Sequence, residues 1–415
     1  MEGFLLESAG FLLRWLHIVA AIAWIGESFY FVMLDRALKP PKLASPGLYG
    51  ELWSVHGGGF YHKQKYLPAP AELPDELHWS KWKSYTTWLS GFALFALLYL
   101  TSPAVWLVDP AIAALTPTQA VLLALAFPLA GWLVYDALCR VVGFRDGLLG
   151  ALVALLTLAL AYAATHLFAG RAAFLIVGAA LATIMSANVF FVIIPGQKRM
   201  VAALARGESP DPLPGQRGKQ RSVHNTYFTL PVVFAMLSIH FANAHAHPQS
   251  WLVLFAFMAA GALIRQFFVL WHGGQRAWWL LGAGGVVIVA VLAWLAPKEL
   301  APPATASDVT TPAGTVPIGA PDPYGERPTT AAIRPLIVKH CALACHATRP
   351  TLLPIAPKGA ILETESQIER SAALILQQTV VLKIMPPGNL TGLSDEDRAA
   401  IGRWVAALEE SRSGR

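Results

Sequence analysis

Charge is what this sequence has least of. Asp, Glu, Lys and Arg make up 13% of its 415 residues, about half the usual share of a soluble domain. Hydrophobic residues reach 55%, and the mean hydropathy is +0.50. A soluble core has no use for so much apolar surface, whereas a bilayer has. Cysteine is scarce too. Three residues exclude a disulfide framework, and two of them stand close together as Cys341 and Cys345. The first ten residues hold Glu2 and Glu7 but no Lys or Arg, and no small-residue cleavage site follows the first apolar run. That run therefore reads as a retained membrane helix, not a removed leader. The net charge of +6 reads as loop charge that orients helices and not as a nucleic-acid footprint, so no nucleic-acid partner is expected.

What the chain does have is long apolar runs, near 11–34, 86–108, 118–138, 147–168, 173–195, 226–243, 250–271 and 278–296. Each approaches the roughly 20 residues that a helix needs to span hydrocarbon, though 226–243 is short and carries Pro231. The expected fold is all-α: an eight-helix transmembrane bundle, embedded in lipid, over residues 1–296. Residues 297–330 are rich in Pro, Ala, Thr and Gly and lack an apolar period, which reads as a flexible linker. Residues 331–415 regain helical patterning and form a small separate domain.

Lys and Arg gather in the loops after the first, third, fifth and seventh runs: Arg36, Lys39, Lys42, Lys63, Lys65, Lys81 and Lys83, then Arg140 and Arg145, then Lys198 to Arg221, then Arg276. The alternate loops offer only Arg171. The positive-inside rule puts both termini and the C-terminal domain outside the cytoplasm.

In that domain the chain reads Cys341-Ala-Leu-Ala-Cys345-His346. Two thiols can form thioethers with haem vinyl groups while the adjacent His ligates iron; the usual spacing is CxxCH, and here one extra residue intervenes. Met385 lies in Ile384-Met385-Pro386-Pro387, followed by the helix-start signature Ser394-Asp395-Glu396-Asp397 and an apolar-periodic run to Leu408. This resembles the end of a small class I cytochrome c, in which Met is the sixth ligand; His/Met ligation raises the reduction potential, as suits an electron acceptor. A disulfide or partial metal site would use the two cysteines but leave His346, Met385 and the last helix unexplained.

The segment after the first run reads Trp53-Ser-Val-His56-Gly57-Gly58-Gly59-Phe60-Tyr61-His62-Lys63-Gln64-Lys65-Tyr66, and later His78-Trp79-Ser-Lys81-Trp82-Lys83-Ser-Tyr85-Thr-Thr-Trp88. With Trp24-Ile25-Gly26-Glu27-Ser28, Met185-Ser186-Ala187-Asn188-Val189-Phe190-Phe191 and His224-Asn225-Thr226-Tyr227-Phe228-Thr229-Leu230-Pro231, it resembles the membrane-integral urate oxidase family of bacterial purine catabolism, the cytochrome c-linked urate hydroxylases. The resemblance covers nearly the whole chain. It implies an oxidoreductase of the bacterial inner membrane. Such an enzyme oxidises urate to 5-hydroxyisourate with water as oxygen source, passing electrons to haem c and on to a downstream cytochrome or terminal oxidase. The CxxxCH spacing departs from the family pattern.

Read as chemistry, three consecutive glycines let backbone approach a ligand or adopt positive φ. Urate, a planar monoanion, asks for cationic donors, aromatic faces and a base to activate water. The candidates are His56, Lys63, Lys65, His78, Lys81, Tyr85, His224 and Asn225. His78, Lys81, Trp82, Tyr85 and Trp88 fall at helical spacing, so one helix face could present them together. An interfacial belt of Trp, Tyr and Lys is the competing reading.

Electrons leaving such a site must cross about 30 Å of hydrocarbon. Intramembrane His is a functional candidate by default, and His17, His166 and His240 are expected toward the outer ends of their helices. Two of them could hold a b-type haem, and a second could draw on His56, His78, His224 and His272. Glu27 is a candidate for pairing with Arg or carrying protons, and Cys139 reads as structural. The alternative to an enzyme is a non-catalytic multihaem relay between quinol and a periplasmic acceptor, for which the segment 49–85 is not required.

Overall fold

The computed structural model describes residues 2–296, 324–353 and 356–413; the expected linker, 297–330, falls mostly outside them. Helices dominate. α1 (Glu2–Ala37) starts nine residues earlier than the apolar run it contains. α2 (Trp82–Phe95) continues as a π-helix over Ala96–Leu100, and the short α3 (Pro103–Trp106) follows, so the run 86–108 is not one rod. α4 (Pro117–Val142) opens on a reciprocal capping box between Thr116 and Gln119, with Pro117 in the first turn, and stops at Gly143. α5 (Asp146–Thr165) and α6 (Gly170–Ala187) follow.

Pro195 has no N–H to return to the carbonyl four residues earlier. The rod widens just before it into a π-helix over Asn188–Ile193 and continues as α7 (Ile194–Ala205). α8 (Leu213–Leu237) extends the expected run 226–243 by some four turns at its polar end. It stops short at its apolar end, where a 3-10 turn (Ser238–His240) and α9 (Ala242–His245) take over. α10 (Ser250–His272) and α11 (Trp278–Leu295) complete the set.

Six of these rods, with α6 and α7 counted as one, are long and apolar enough to cross a membrane. α2 with its π continuation falls short because it opens on Trp82-Lys83-Ser84-Tyr85-Thr86-Thr87, and α8 because its first turns are polar, with Arg217, Lys219 and Arg221. The apolar core runs through the middle of the rods, from Phe95 and Tyr99 through Leu149, Phe174 and Ile184 to Met258 and Val291.

Between α1 and α2 the chain forms a β-hairpin, where the sequence suggested only a loop. β1 (Leu48–His56) and β2 (Gly59–Tyr66) pair antiparallel, from Leu48 opposite Tyr66 to His56 opposite Gly59. Gly57 and Gly58 supply φ values of +58° and +79°, the geometry that a two-residue hairpin turn demands. A side chain there would meet nothing within 4 Å. The glycines are thus conformational, not an approach surface.

The C-terminal portion packs α12 (Thr330–Ile337), continued as a π-helix over Val338–His346, against α13 (Glu365–Arg370), α14 (Ala372–Ile375) and α15 (Asp395–Ser413). Ile333, Ile337, Ile368, Ile401 and the buried Trp404 form its own core. Its loop at Gly388 rests on the segment following α3: a Cβ at Gly388 would lie 2.8 Å from the Val108 carbonyl oxygen and 3.2 Å from Asp109 Cα.

Candidate active site

Seven polar side chains meet at the end of the bundle that carries the basic loops. Tyr135 (α4), Asn188 (the π-helix) and Arg221 and Asn225 (α8) are all buried. A polar group in such a place must find its partners locally, and these do. The Arg221 guanidinium donates to Asp136 Oδ1 at 2.7 Å and to Asn188 Oδ1 at 3.2 Å. The Asn188 amide donates to Asn225 Oδ1 at 2.9 Å and to the Tyr135 hydroxyl at 3.2 Å, and Asn225 donates to the Met185 carbonyl at 3.0 Å. The Tyr135 hydroxyl lies 2.7 Å from His224 Nδ1, with Cys139 Sγ 4.0 Å from the same nitrogen.

The Tyr135 hydroxyl accepts from Asn188 and is placed to donate to His224 Nδ1, an arrangement that would put the imidazole proton on Nε2. Of the expected site residues, His224 and Asn225 are therefore brought together. Tyr135, Asp136, Asn188 and Arg221 are members that sequence reasoning did not single out for chemistry. Asn188 stood in a noted stretch; the signal for Tyr135 was a polar ring within an apolar run.

The hairpin candidates lie elsewhere. Lys63 Nζ contacts Ser54 Oγ at 2.5 Å and sits 5.1 Å from the Tyr30 ring centre; Lys65 pairs with Asp35 of α1 at 2.5 Å. His56 is exposed at the tip. His62 stacks on Trp53 with ring centres 4.3 Å apart and donates to Glu51 at 2.9 Å. The Lys42 backbone N–H and then the His62 ring hold the Glu51 carboxyl below its ordinary range. Among the described residues no hydrogen bond, ion pair or ring contact joins the hairpin to the His224 network.

α2 begins at Trp82, with Lys81 as its N-cap residue. The expected face running from His78 to Trp88 is thus cut, and His78 is exposed ahead of the helix. Lys81 lies over its own neighbour Trp82. Tyr85 does reach the π-helix, its ring centre 5.4 Å from that of Phe190. Glu27 is paired, with Lys83 at 2.6 Å and not with an arginine.

The three expected intramembrane histidines sit in different surroundings. His17 lies midway along α1, its ring against Gly91 and its Nδ1 donating to the Thr87 carbonyl at 3.0 Å. His166 caps α5, exposed, its Nδ1 donating to Tyr162 at 2.7 Å. His240 ends the 3-10 turn after α8. Nδ1 bonding to a carbonyl frees Nε2 for a metal, so His17 and His166 each have a ligand's orientation, but their neighbours differ. His245 of α9, not anticipated, is buried beside Phe174. Desolvation, with help from Arg171, pushes it down to about 4, so its ring is neutral at ordinary pH.

In the C-terminal portion the π-helix carries both Cys341 and Cys345. An α-helix places residues three apart on one face, and a π-helix is wider by roughly one residue per turn. Residues four apart also share a helix face, so the CxxxCH spacing is compatible with both thiols serving one group. His346 Nδ1 donates to the Ala360 carbonyl at 3.0 Å, leaving Nε2 free. Arg398 fixes the Met385 carbonyl at 3.0 Å and Asn389 Oδ1 at 3.3 Å. Two thiols, an imidazole and a thioether are the donor types that a covalent haem uses. No cluster of three or more His, Cys, Asp or Glu suited to a bare metal ion occurs among the described residues.

No curated protein and no solved structure matches the chain. The family described as Urate oxidase N-terminal matches residues 3–296, which include every helix from α1 to α11. That span is well over half of the chain, and the chain belongs to the Urate oxidase N-terminal family.

Proposed function

We propose that the chain oxidises urate to 5-hydroxyisourate, taking oxygen from water, at the basic-loop end of an eight-helix membrane bundle. The electrons pass to a periplasmic haem c domain, and from there to a cytochrome or terminal oxidase of a bacterial inner membrane. The family match over residues 3–296 carries this reading. The His224 network supports it: His224 offers an Nε2–H donor toward an anionic substrate, and the two asparagine amides hold its surroundings rigid. The Arg221 charge is neutralised by Asp136 at 2.7 Å, so it steadies the network without competing for the substrate. On the hairpin, Lys63 is held by Ser54 and not by an acid, and with the basic loops it favours the approach of an anion.

Cys341 and Cys345 would hold the haem, with His346 and Met385 as iron ligands; when bound it supplies a one-electron acceptor. The residues around it set its position, Ala360 fixing the His346 ring and Arg398 the methionine loop. The test is an anaerobic visible spectrum of detergent-purified protein before and after urate, with haem extraction to separate b from c. Reduction of a c-type signal without oxygen supports the reading. Inertness to urate with ready reduction by a quinol overturns it in favour of a respiratory relay.

A further inference from the structure

We propose that Arg265 is the anion-recognition residue of the substrate site, taking a flat, singly charged heteroaromatic anion between α1, α8 and α10. The proposal rests on the urate reading and adds to it the group that would bind the charge. Arg265 is only 3% exposed, and its Nε and Nη2 have no hydrogen-bond partner. A guanidinium so placed is costly unless something pairs with it. Of the elements around it, α8 and α10 carry no acid, and Glu27 and Asp35 of α1 are committed to Lys83 and Lys65. A compensating charge would have to come from a bound molecule.

The surroundings define its shape. The guanidinium lies over the Phe29 ring at 4.0 Å from the centroid. An anion bonded in the guanidinium plane, two N–H groups to two acceptors, would be flanked by the same aromatic face. That geometry favours a planar ring over a tetrahedral phosphate. On the other side Tyr227 donates to Gln266, and Thr226 pairs with Ser28 at 3.0 Å. On α8, Tyr227, whose partner Gln266 adjoins Arg265 in the chain, lies one turn from His224.

The experiment uses the full-length protein in nanodiscs, comparing wild type with Arg265→Gln, Arg265→Lys and Phe29→Leu. Urate-driven anaerobic haem reduction gives KM and kcat, and unfolding temperature is measured with and without urate. Arg265→Gln is expected to raise KM at least about 30-fold and to abolish the urate-induced rise in unfolding temperature, with Arg265→Lys recovering part of the binding. Phe29→Leu, which keeps the charge, should raise KM severalfold even if Arg265→Gln fails to fold. If wild type oxidises urate while KM and the thermal response survive in all three variants, this inference fails alone. If wild type ignores urate altogether, the urate reading fails and takes this inference with it. Loss in Arg265→Gln of a thermal response to phosphatidylglycerol, with the urate KM unchanged, would assign the guanidinium to a lipid headgroup and overturn the proposal.

Discussion

At the residue scale, the chemistry turns on which atom carries a proton. His224 and Asn225 were legible in the sequence as a polar pair entering an apolar run. The tautomer was not, because it depends on Tyr135, 89 positions away, and on Asn188 in a third segment. Tyr135→Phe removes the donor to Nδ1 and lets the ring proton redistribute. It is expected to lower kcat about 10- to 100-fold with the fold retained, as measured by anaerobic stopped-flow reduction. Arg265 was equally hidden: a lone arginine in an apolar run says nothing of whether an acid faces it.

The thiols show the same dependence on surroundings. Burial pushes Cys341 up to about 12 and raises the half-buried Cys345 as well. A folded-state value above the unfolded one means that the protonated thiol favours folding below roughly pH 8.5, and that this contribution is lost as pH climbs toward the folded value. Haem-free protein should therefore be alkylated slowly by iodoacetamide at pH 8, Cys345 before Cys341, and lose stability progressively at alkaline pH. Rapid alkylation of both at pH 8, followed by mass spectrometry, would contradict this.

At the scale of elements, the π-helices carry what a simple period cannot express. The sequence showed CxxxCH as a departure from CxxCH; the Val338–His346 segment carries it on a wider helix. Deleting Leu343, which is exposed, should give an ordinary α-helical turn and keep covalent haem, as judged by haem staining and a pyridine haemochrome spectrum. The hairpin was illegible for a different reason. Its Trp, Tyr and Lys residues suit a membrane-interface belt as well as a strand, and the alternation about a Gly-Gly turn becomes decisive only when both strands are aligned. Helix ends were misjudged where polar turns extend an apolar rod, as in α8, since hydropathy marks the hydrocarbon and not the helix.

At the scale of the whole molecule, the asymmetry of Lys and Arg orients everything else. Single cysteines placed at His56 in the hairpin and at Glu410 in α15 should behave oppositely in spheroplasts. An impermeant maleimide is expected to label the second and spare the first; equal labelling would invalidate the proposed sidedness. Six of the eight expected spans return as long apolar rods, because apolar length is a local property. Their mutual packing, and the seating of the C-terminal portion on the segment after α3, were not, since both depend on contacts far apart in sequence.

That seating has a kinetic meaning. With Gly388 against Val108, the methionine loop rests on its own chain, so a haem c held there, as proposed above, would be reached within one molecule and not by a diffusing partner. Urate-driven haem reduction should then follow first-order kinetics whose rate constant is unchanged by diluting the protein. Gly388→Val, which would wedge the two surfaces apart, should slow that step and leave reduction by dithionite untouched. An enzyme arranged in this way meets a concentration-dependent partner only once, at the exit, and its supply of oxidant becomes the variable by which a cell could pace it.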